Sequence, residues 1–531
     1  MNNKARCAAL AGALLLTAAC GGGGGSGGGG ASTQDRVAAT SACPPATPTM
    51  DPNATLTWMY TVDTTSFDPD KITTNNSQMY LYPVYDSLIR VNAGGKPEPM
   101  LAKSWKLTDG GATLELSLID NWKYQDGTPF DAASVKANLD RKKTLPRSFN
   151  AKALTSLTSA EVVDPSTVRL RTAGGAGALI GILGGSAGMM MSPAAFDKPG
   201  EDINPTGGSG AFRMSRYVPG SRVEYTAVPG YWDPAAVKVE QLVFLISGDD
   251  NARLNAVTTG AADVTFLRAA MYQPAKDAGL VVCEAPSLSS YDMNLNTKRS
   301  EFGKKEVRQA LNYAINRESV KQVTNGFCAP SVQLFPNFYF ASNPDITAER
   351  YPYDPEKAKQ LLAQVGLPNG FSFNLEVINL GLYQQIAEVV QANLAQVGIK
   401  MSITPVEIAK LAEDFSVNKT ADAILFEQKA ESDPSILTSA YYLPDGFNNP
   451  GGFSDPDFIR LNKEAMTGAT AADRAPAYAK LFEAVVEQAA PNVVLCNLTT
   501  PFAMNKTVKG VEIYADASRQ FRGAGIDPTA K

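Results

Sequence analysis

None of the 531 residues is a histidine, so the side chains left to do chemistry are carboxylates, amides, hydroxyls and six cysteines. A Ser-His-Asp or Cys-His hydrolase, an H-E-x-x-H metalloprotease and an imidazole-ligated metal or haem are excluded, because each needs imidazole as base or ligand. An enzyme built on two carboxylates survives that test. It needs a pair of acids roughly 5 to 9.5 Å apart with no other purpose, and no pair stands out here. Two glycine-rich stretches also fall short of catalytic motifs. GGAGALIGILGGSAGMMM, from Gly174 to Met191, lacks the Gly-Lys-Ser/Thr of a phosphate loop. GGSGA, from Gly207 to Ala211, does not complete G-x-S-x-G, and Ser209 has no histidine to activate it. Trp105 and Trp122 read as core rather than cofactor contacts. The residues therefore point to binding, with no catalytic residues, no cofactor and no metal.

The N-terminal residues address the protein. Lys4 and Arg6 precede the apolar stretch Cys7 to Leu16, and Thr17, Ala18 and Ala19 lead to Cys20; this is the pattern of a signal peptide over 1–19. Its apolar run is shorter than the ~20 residues of a spanning helix. L-T-A-A-C resembles the lipobox at which bacterial lipoproteins are cleaved and their new N-terminal cysteine lipidated, which makes Cys20 the expected anchor. Nine glycines and a serine follow it, and residues 20–54 read as a flexible Gly/Ser/Pro-rich leash. The chain has 48 basic and 53 acidic residues, a net charge of −5, which argues against nucleic acid as a partner. Cys43, Cys283, Cys328 and Cys496 are an even number in an oxidising compartment, so two disulfides are expected, with three pairings open.

Period and punctuation place the elements that must carry any site. In ATLELSLIDNWKY, Leu114, Leu116 and Leu118 alternate with polar residues, as in a half-buried strand. Asp126-Gly127 then turns the chain, and Asp131 is set to cap a helix carrying Val135 and Leu139 on one face. Val307, Ala310, Leu311, Ala314 and Ile315 form a helical stripe. Asp354 and Pro355 open another helix that turns Leu361, Leu362 and Val365 inward and stops at Gly366. Ile386, Val389, Val390 and Leu394 repeat the scheme up to Gly398. With strands such as VEQLVFLIS and FSFNLEVI between the helices, the class is α/β.

The stretch from Pro97 to Arg141, NPTGGSGAFRMSRYVPGSRVEYTAVPGYWD from Asn204, YDMNLNTKRSEFGKKEVRQALNYAINRESV from Tyr291, YPYDPEKAKQLLAQVGLPNG and PNVVLCNLTTPFAMNKTVKG follow one another in order. Together they resemble the family 5 solute-binding proteins of ABC importers, the peptide-, dipeptide- and nickel-binding group. The resemblance implies a two-lobed periplasmic-binding-protein-like fold of type II, cluster C style. Lobe I would span 55–287 and 497–531 with an inserted subdomain at about 71–189, and lobe II 288–496, the crossings falling near Ser287 to Asn294 and Cys496 to Pro501. It further implies capture of a short peptide between the lobes, delivery to a membrane permease and no catalysis, by a lipid-anchored monomer on the extracytoplasmic face. An opine, a small glycoside or an aromatic carboxylate are the alternative solutes; a carboxylate-based extracellular hydrolase and a ligand-loaded sensor are the alternative functions. Gln125 stands where many members have histidine, so the histidine-dependent nickel and haem binders are poor models for the ligand.

The resemblance also nominates site residues within FEQKAESDPSILTSAYYLPDGFNNPGG. Peptide-binding members meet the ligand's amino terminus with an acid just before an acid-Pro pair. Glu431, two residues before Asp433-Pro434, is the match, and Asp433 is also placed to cap the following helix. Tyr441, Tyr442, Asn448 and Asn449 are expected on the same wall, where aromatic area and amides suit a peptide. Asn294, just past the first crossing, is expected to bond ligand backbone. Arg268, after the strand GAADVTFL, is expected to grip a carboxylate.

Overall fold

The computed structural model describes residues 43–516 and 518–530; Cys20 and its glycine tract lie outside them. An eleven-stranded sheet runs through the molecule. Its order from one edge is Lys400–Val406, Ser372–Ile378, Ala423–Gln428, Val281–Leu295, Asn492–Met504, Val264–Phe266, Thr55–Tyr60, Gln241–Ile246, Arg222–Ala227 and Phe212–Val218, with Cys328–Pro330 pairing Asn492–Met504 off this path. The two long antiparallel strands at the centre, Val281–Leu295 and Asn492–Met504, belong to both halves. Their first and last portions carry Cys283, Phe502 and Met504 into one apolar cluster with Trp58, Tyr225 and Phe244. Their other ends carry Met293, Leu295, Val493 and Leu495 into a second cluster with Leu311, Val377, Ile386 and Val390. Between the clusters the ladder is irregular: Pro286 faces Thr499, but the next paired residue, Ser290, faces Asn497. The chain therefore crosses twice between two bodies at a place where sheet pairing is locally broken.

The local signals act as the sequence predicts. The Asp131 carboxylate accepts from the Ser134 amide at 2.8 Å and caps Ala132–Thr144, whose Ser134 hydroxyl answers in a capping box. Asp354 caps Pro355–Gln364 through the Lys357 amide. Gly398 has φ near +83° and lets the chain leave its helix in the left-handed region. A separate four-stranded antiparallel sheet, in the order Ala102–Thr108, Thr113–Leu118, Thr167–Thr172, Leu157–Asp164, turns Leu114, Leu116 and Leu118 toward Val135 and Leu139.

Of the three cysteine pairings open to the sequence, the structure has Cys43 with Cys283 and Cys328 with Cys496. Among the described residues no helix is long and apolar enough to cross a membrane.

Candidate ligand-binding site

Between the two bodies lies a cavity of about 1150 Å³, just above the roughly 300–1,000 Å³ of small-molecule sites. Residues between Thr73 and Ala187 line it from one side, residues between Phe426 and Met466 from the other, and Asp516, Ser518 and Arg519 complete it. Both signs of charge meet there: Lys152, Lys429, Lys463 and Arg519 on the basic side, Glu431, Asp445 and Asp516 on the acidic. Lys429 reaches back to Glu427 at 2.7 Å. The Arg519 guanidinium rests over the rings of Tyr60, at 4.4 Å, and Phe266, at 5.3 Å, which holds a planar cation in place. Desolvation pushes the Asp516 carboxyl above its ordinary value.

Amides supply the neutral polar surface. Asn150 is buried and held on both sides, donating to Asp70 at 2.8 Å and accepting from Ser186 at 2.8 Å. Opposite it, Gln428 Oε1 accepts from the Tyr441 hydroxyl at 2.7 Å and from Asn448 Nδ2 at 3.3 Å.

The bodies touch beside the cavity through the glycine-rich segment. The short helix Gly177–Ile182 lies so close to the facing chain that a Cβ on Gly177 would sit 1.9 Å from the Gly468 carbonyl, and one on Gly181 would sit 2.6 Å from Asp433. The Ala178 amide donates across to the Met466 carbonyl at 3.3 Å. Lys152 lies over the ring of Phe447 at 4.3 Å, one residue from each body.

The nominated residues divide by depth. Glu431 and Asn448 line the cavity. Asp433, Tyr441, Tyr442, Asn449 and Asn294 stand behind its wall. Asp433 caps Pro434–Tyr442 through the Ser435 amide and takes a bidentate ion pair from Arg474 at 2.7 and 2.8 Å. Burial opposes the charge on Arg474, and the Asp433 carboxylate more than offsets it, holding the guanidinium above its usual range. Tyr441 and Tyr442 are fully buried because their helix is covered on more than one face. Asn449 fixes its own loop through the Leu443 and Phe453 carbonyls. Arg268 lies outside the cavity, paired with Asp250 at 3.2 Å. The sequence reading missed Gln428, Lys152 and Arg519, and it set aside the glycine-rich segment whose Gly174, Gly175, Gly185 and Ser186 line the cavity. The segment's run of small residues was the available signal, since close chain approach requires them. Among the described residues no cluster of three or more cysteines, aspartates and glutamates could hold a metal ion.

The model of the bacterial extracellular solute-binding proteins, family 5 (middle) matches residues 96–449. The glutathione-binding protein GsiB of Escherichia coli O1:K1 / APEC is 33% identical over 363 residues, covering 66% of this chain and 69% of that protein. GsiB of Salmonella typhi is 32% identical over 360 residues, with 66% and 69% coverage. The fold matches that of DppA from Helicobacter pylori in complex with peptide STSA, with a TM-score of 0.77, 22% identity, and coverage of 90% of this chain and 98% of that one. It also matches NikA from Brucella suis in complex with Fe(III)-EDTA, with a TM-score of 0.78, 22% identity, and coverage of 89% and 100%. The two bodies crossed by two strands are thus a known architecture, and the chain belongs to family 5 of the bacterial extracellular solute-binding proteins, substrate-capturing components of ABC importers and not enzymes.

Proposed function

We propose that the cavity captures a short peptide and that closure of lobes 55–287/497–531 and 288–496 around it prepares delivery to the permease. The observation that carries this reading is the cavity's own chemistry: carboxylates, cations and side-chain amides face one another across it. A peptide offers an ammonium, a carboxylate and amide groups between them, and each finds a complement here. The relatives named for binding glutathione support the same class of solute. In this reading Glu431 meets the ammonium, Lys152, Lys463 and Arg519 face the carboxylate, and Gln428 and Asn448 bond the ligand's backbone. Only the closed form contacts the solute from both lobes, so the solute favours that form.

Native mass spectrometry of freshly purified protein tests the reading. A set of bound masses matching short peptides is expected; a single non-peptide mass overturns it. In calorimetric titration with trialanine, Glu431→Gln is expected to weaken binding roughly 10- to 150-fold, the worth of a hydrogen bond to a charged group. An unchanged affinity removes Glu431 from the site. We also assign Cys20 as the lipidated residue that holds the protein at the extracytoplasmic face of the membrane. Cys20→Ala is expected to move the protein from the membrane fraction to the medium, and retention at the membrane would count against the anchor.

A further inference from the structure

Behind the Gln428 wall of the cavity lies a carboxylate that no cation accompanies. Ser290, Asp292 and Asn294 alternate along Val281–Leu295 and so share one face of the sheet, while Tyr291, Met293 and Leu295 face the apolar cluster on the other side. Asp292 is fully buried; no hydrogen bond of ordinary geometry reaches its carboxylate oxygens, and the hydroxyls of Ser290 and Tyr441 are the polar groups placed beside it. Ser290 Oγ, Asn294 Oδ1 and Asn492 Oδ1 are likewise unbonded. The strand Ala423–Gln428 presents Phe426 opposite Asp292, and Asn492–Met504 presents Val494. From Pro434–Tyr442 come the hydroxyls of Tyr441 and Tyr442. Those two phenols are the titratable groups that face Asp292 among the described residues; no guanidinium, ammonium or second carboxylate does.

Tyr441 links this acid to the cavity. Its oxygen accepts from Asn294 Nδ2 at 3.4 Å, and its one proton goes to Gln428 Oε1 at 2.7 Å. A phenol has a single proton to donate, so Tyr441 serves Gln428 or an ionised Asp292, not both. We propose that Asp292 and Tyr441 are positioning residues for the cavity amide Gln428, and that a proton held on Asp292 keeps the Tyr441 hydroxyl directed at that amide. With Asp292 neutral, no charge beside Tyr441 competes for its proton, and Tyr441 donates to Gln428. When the proton leaves to solvent, the Tyr441 O–H turns to the carboxylate and Gln428 Oε1 loses its shorter bond. Burial pushes the Asp292 carboxyl up to about 7, which sets the exchange near neutral pH. The sign for stability follows: a folded-state value above the unfolded one means stability is lost as pH rises from about 4 to about 7. The melting temperature of the wild type should fall over that window relative to Asp292→Asn.

The effect on capture rests on the reading that this cavity holds the solute, so the coupling is tested first without any ligand. In protein labelled with ¹⁵N-glutamine, the Gln428 side-chain amide signal is expected to shift between pH 5.5 and 8.5 with a midpoint near 7. Infrared difference spectra should show a protonated carboxyl band lost over the same range. Asp292→Asn abolishes both. Tyr441→Phe keeps the infrared band and flattens the Gln428 shift, which carries the test even if Asp292→Asn does not fold. A Gln428 signal that does not titrate, or that titrates equally in Tyr441→Phe, overturns the proposal. Trialanine binding to the wild type should then weaken about fivefold from pH 5.5 to 8.5, the worth of one hydrogen bond, and stay level in both variants. An equal weakening in the variants overturns the link to capture. A wild type that binds no trialanine, with Gln428 still titrating, defeats the peptide reading and leaves the proton relay standing.

Discussion

Gly177→Ala is expected to hold the two lobes apart. A Cβ there would lie 1.9 Å from the Gly468 carbonyl oxygen, and a second contact, with Met466 O, would come at 3.0 Å. The atoms in the way are backbone, so no rotamer change relieves the clash; the glycine-rich helix must retreat from the Met466–Gly468 turn. Overpacking of this kind costs about 1–3 kcal/mol. Under the closure proposed above, the cost falls on the form in which the lobes touch, so the fraction of binding-competent molecules drops, and apparent affinity drops with it. Trialanine binding should weaken roughly 5- to 150-fold, and small-angle scattering of the variant should give a larger radius of gyration than the wild type. The glycine lies where the lobes meet and does not line the cavity, so a loss of affinity accompanied by opening would separate closure from direct contact. Unchanged scattering together with unchanged affinity would sink the account of the segment as the surface on which closure depends.

Asp433→Asn should destabilise the fold by about 3–5 kcal/mol, the cost of leaving one member of a buried ion pair alone. Arg474 is left inside with its guanidinium aimed at an amide, and the cap of Pro434–Tyr442 is weakened as well. Arg474→Met should cost a similar amount. The double variant Asp433→Leu, Arg474→Met should recover much of the loss, because an apolar pair of comparable volume has no charge to bury. Denaturant unfolding of the four proteins measures this. A stable Asp433→Asn with weakened trialanine binding would instead return Asp433 to the solute.

What the sequence disclosed depended on how far apart the cooperating residues lie. Asp131 with Ser134, and Asp354 with Pro355 and Gly366, announce their helices because caps and stops act within a few residues. The ordered landmarks from Pro97 onward carried the two-lobed class. Asp433 shows where reading fails: the Asp-Pro pair displays the cap, but Arg474 lies 41 positions on and nothing local announces it. Arg268 similarly looked available until folding brought Asp250 beside it. Tyr441 and Tyr442 were legible as a polar-edged aromatic pair, yet which side of their helix turns inward is decided by packing, as of Tyr442 against Phe458 and Phe482. The glycine-rich segment was visible as composition and opaque as purpose, since a small residue declares only what it lacks until the neighbouring chain is in place.

The placement of the disulfides has a consequence for how redox conditions act on this receptor. Cys43 and Cys283 both pack with the first apolar cluster, Cys328 and Cys496 both with the second. Cys328–Cys496 lies within one lobe, Cys43–Cys283 fastens the segment before Thr55, expected as leash, onto the other, and none of the described crosslinks ties one lobe to the other. Reduction would therefore shorten the lifetime of the folded lobes while leaving the opening angle free. An oxidising surrounding favours the durability of the folded lobes, and the described crosslinks leave their relative opening unconstrained.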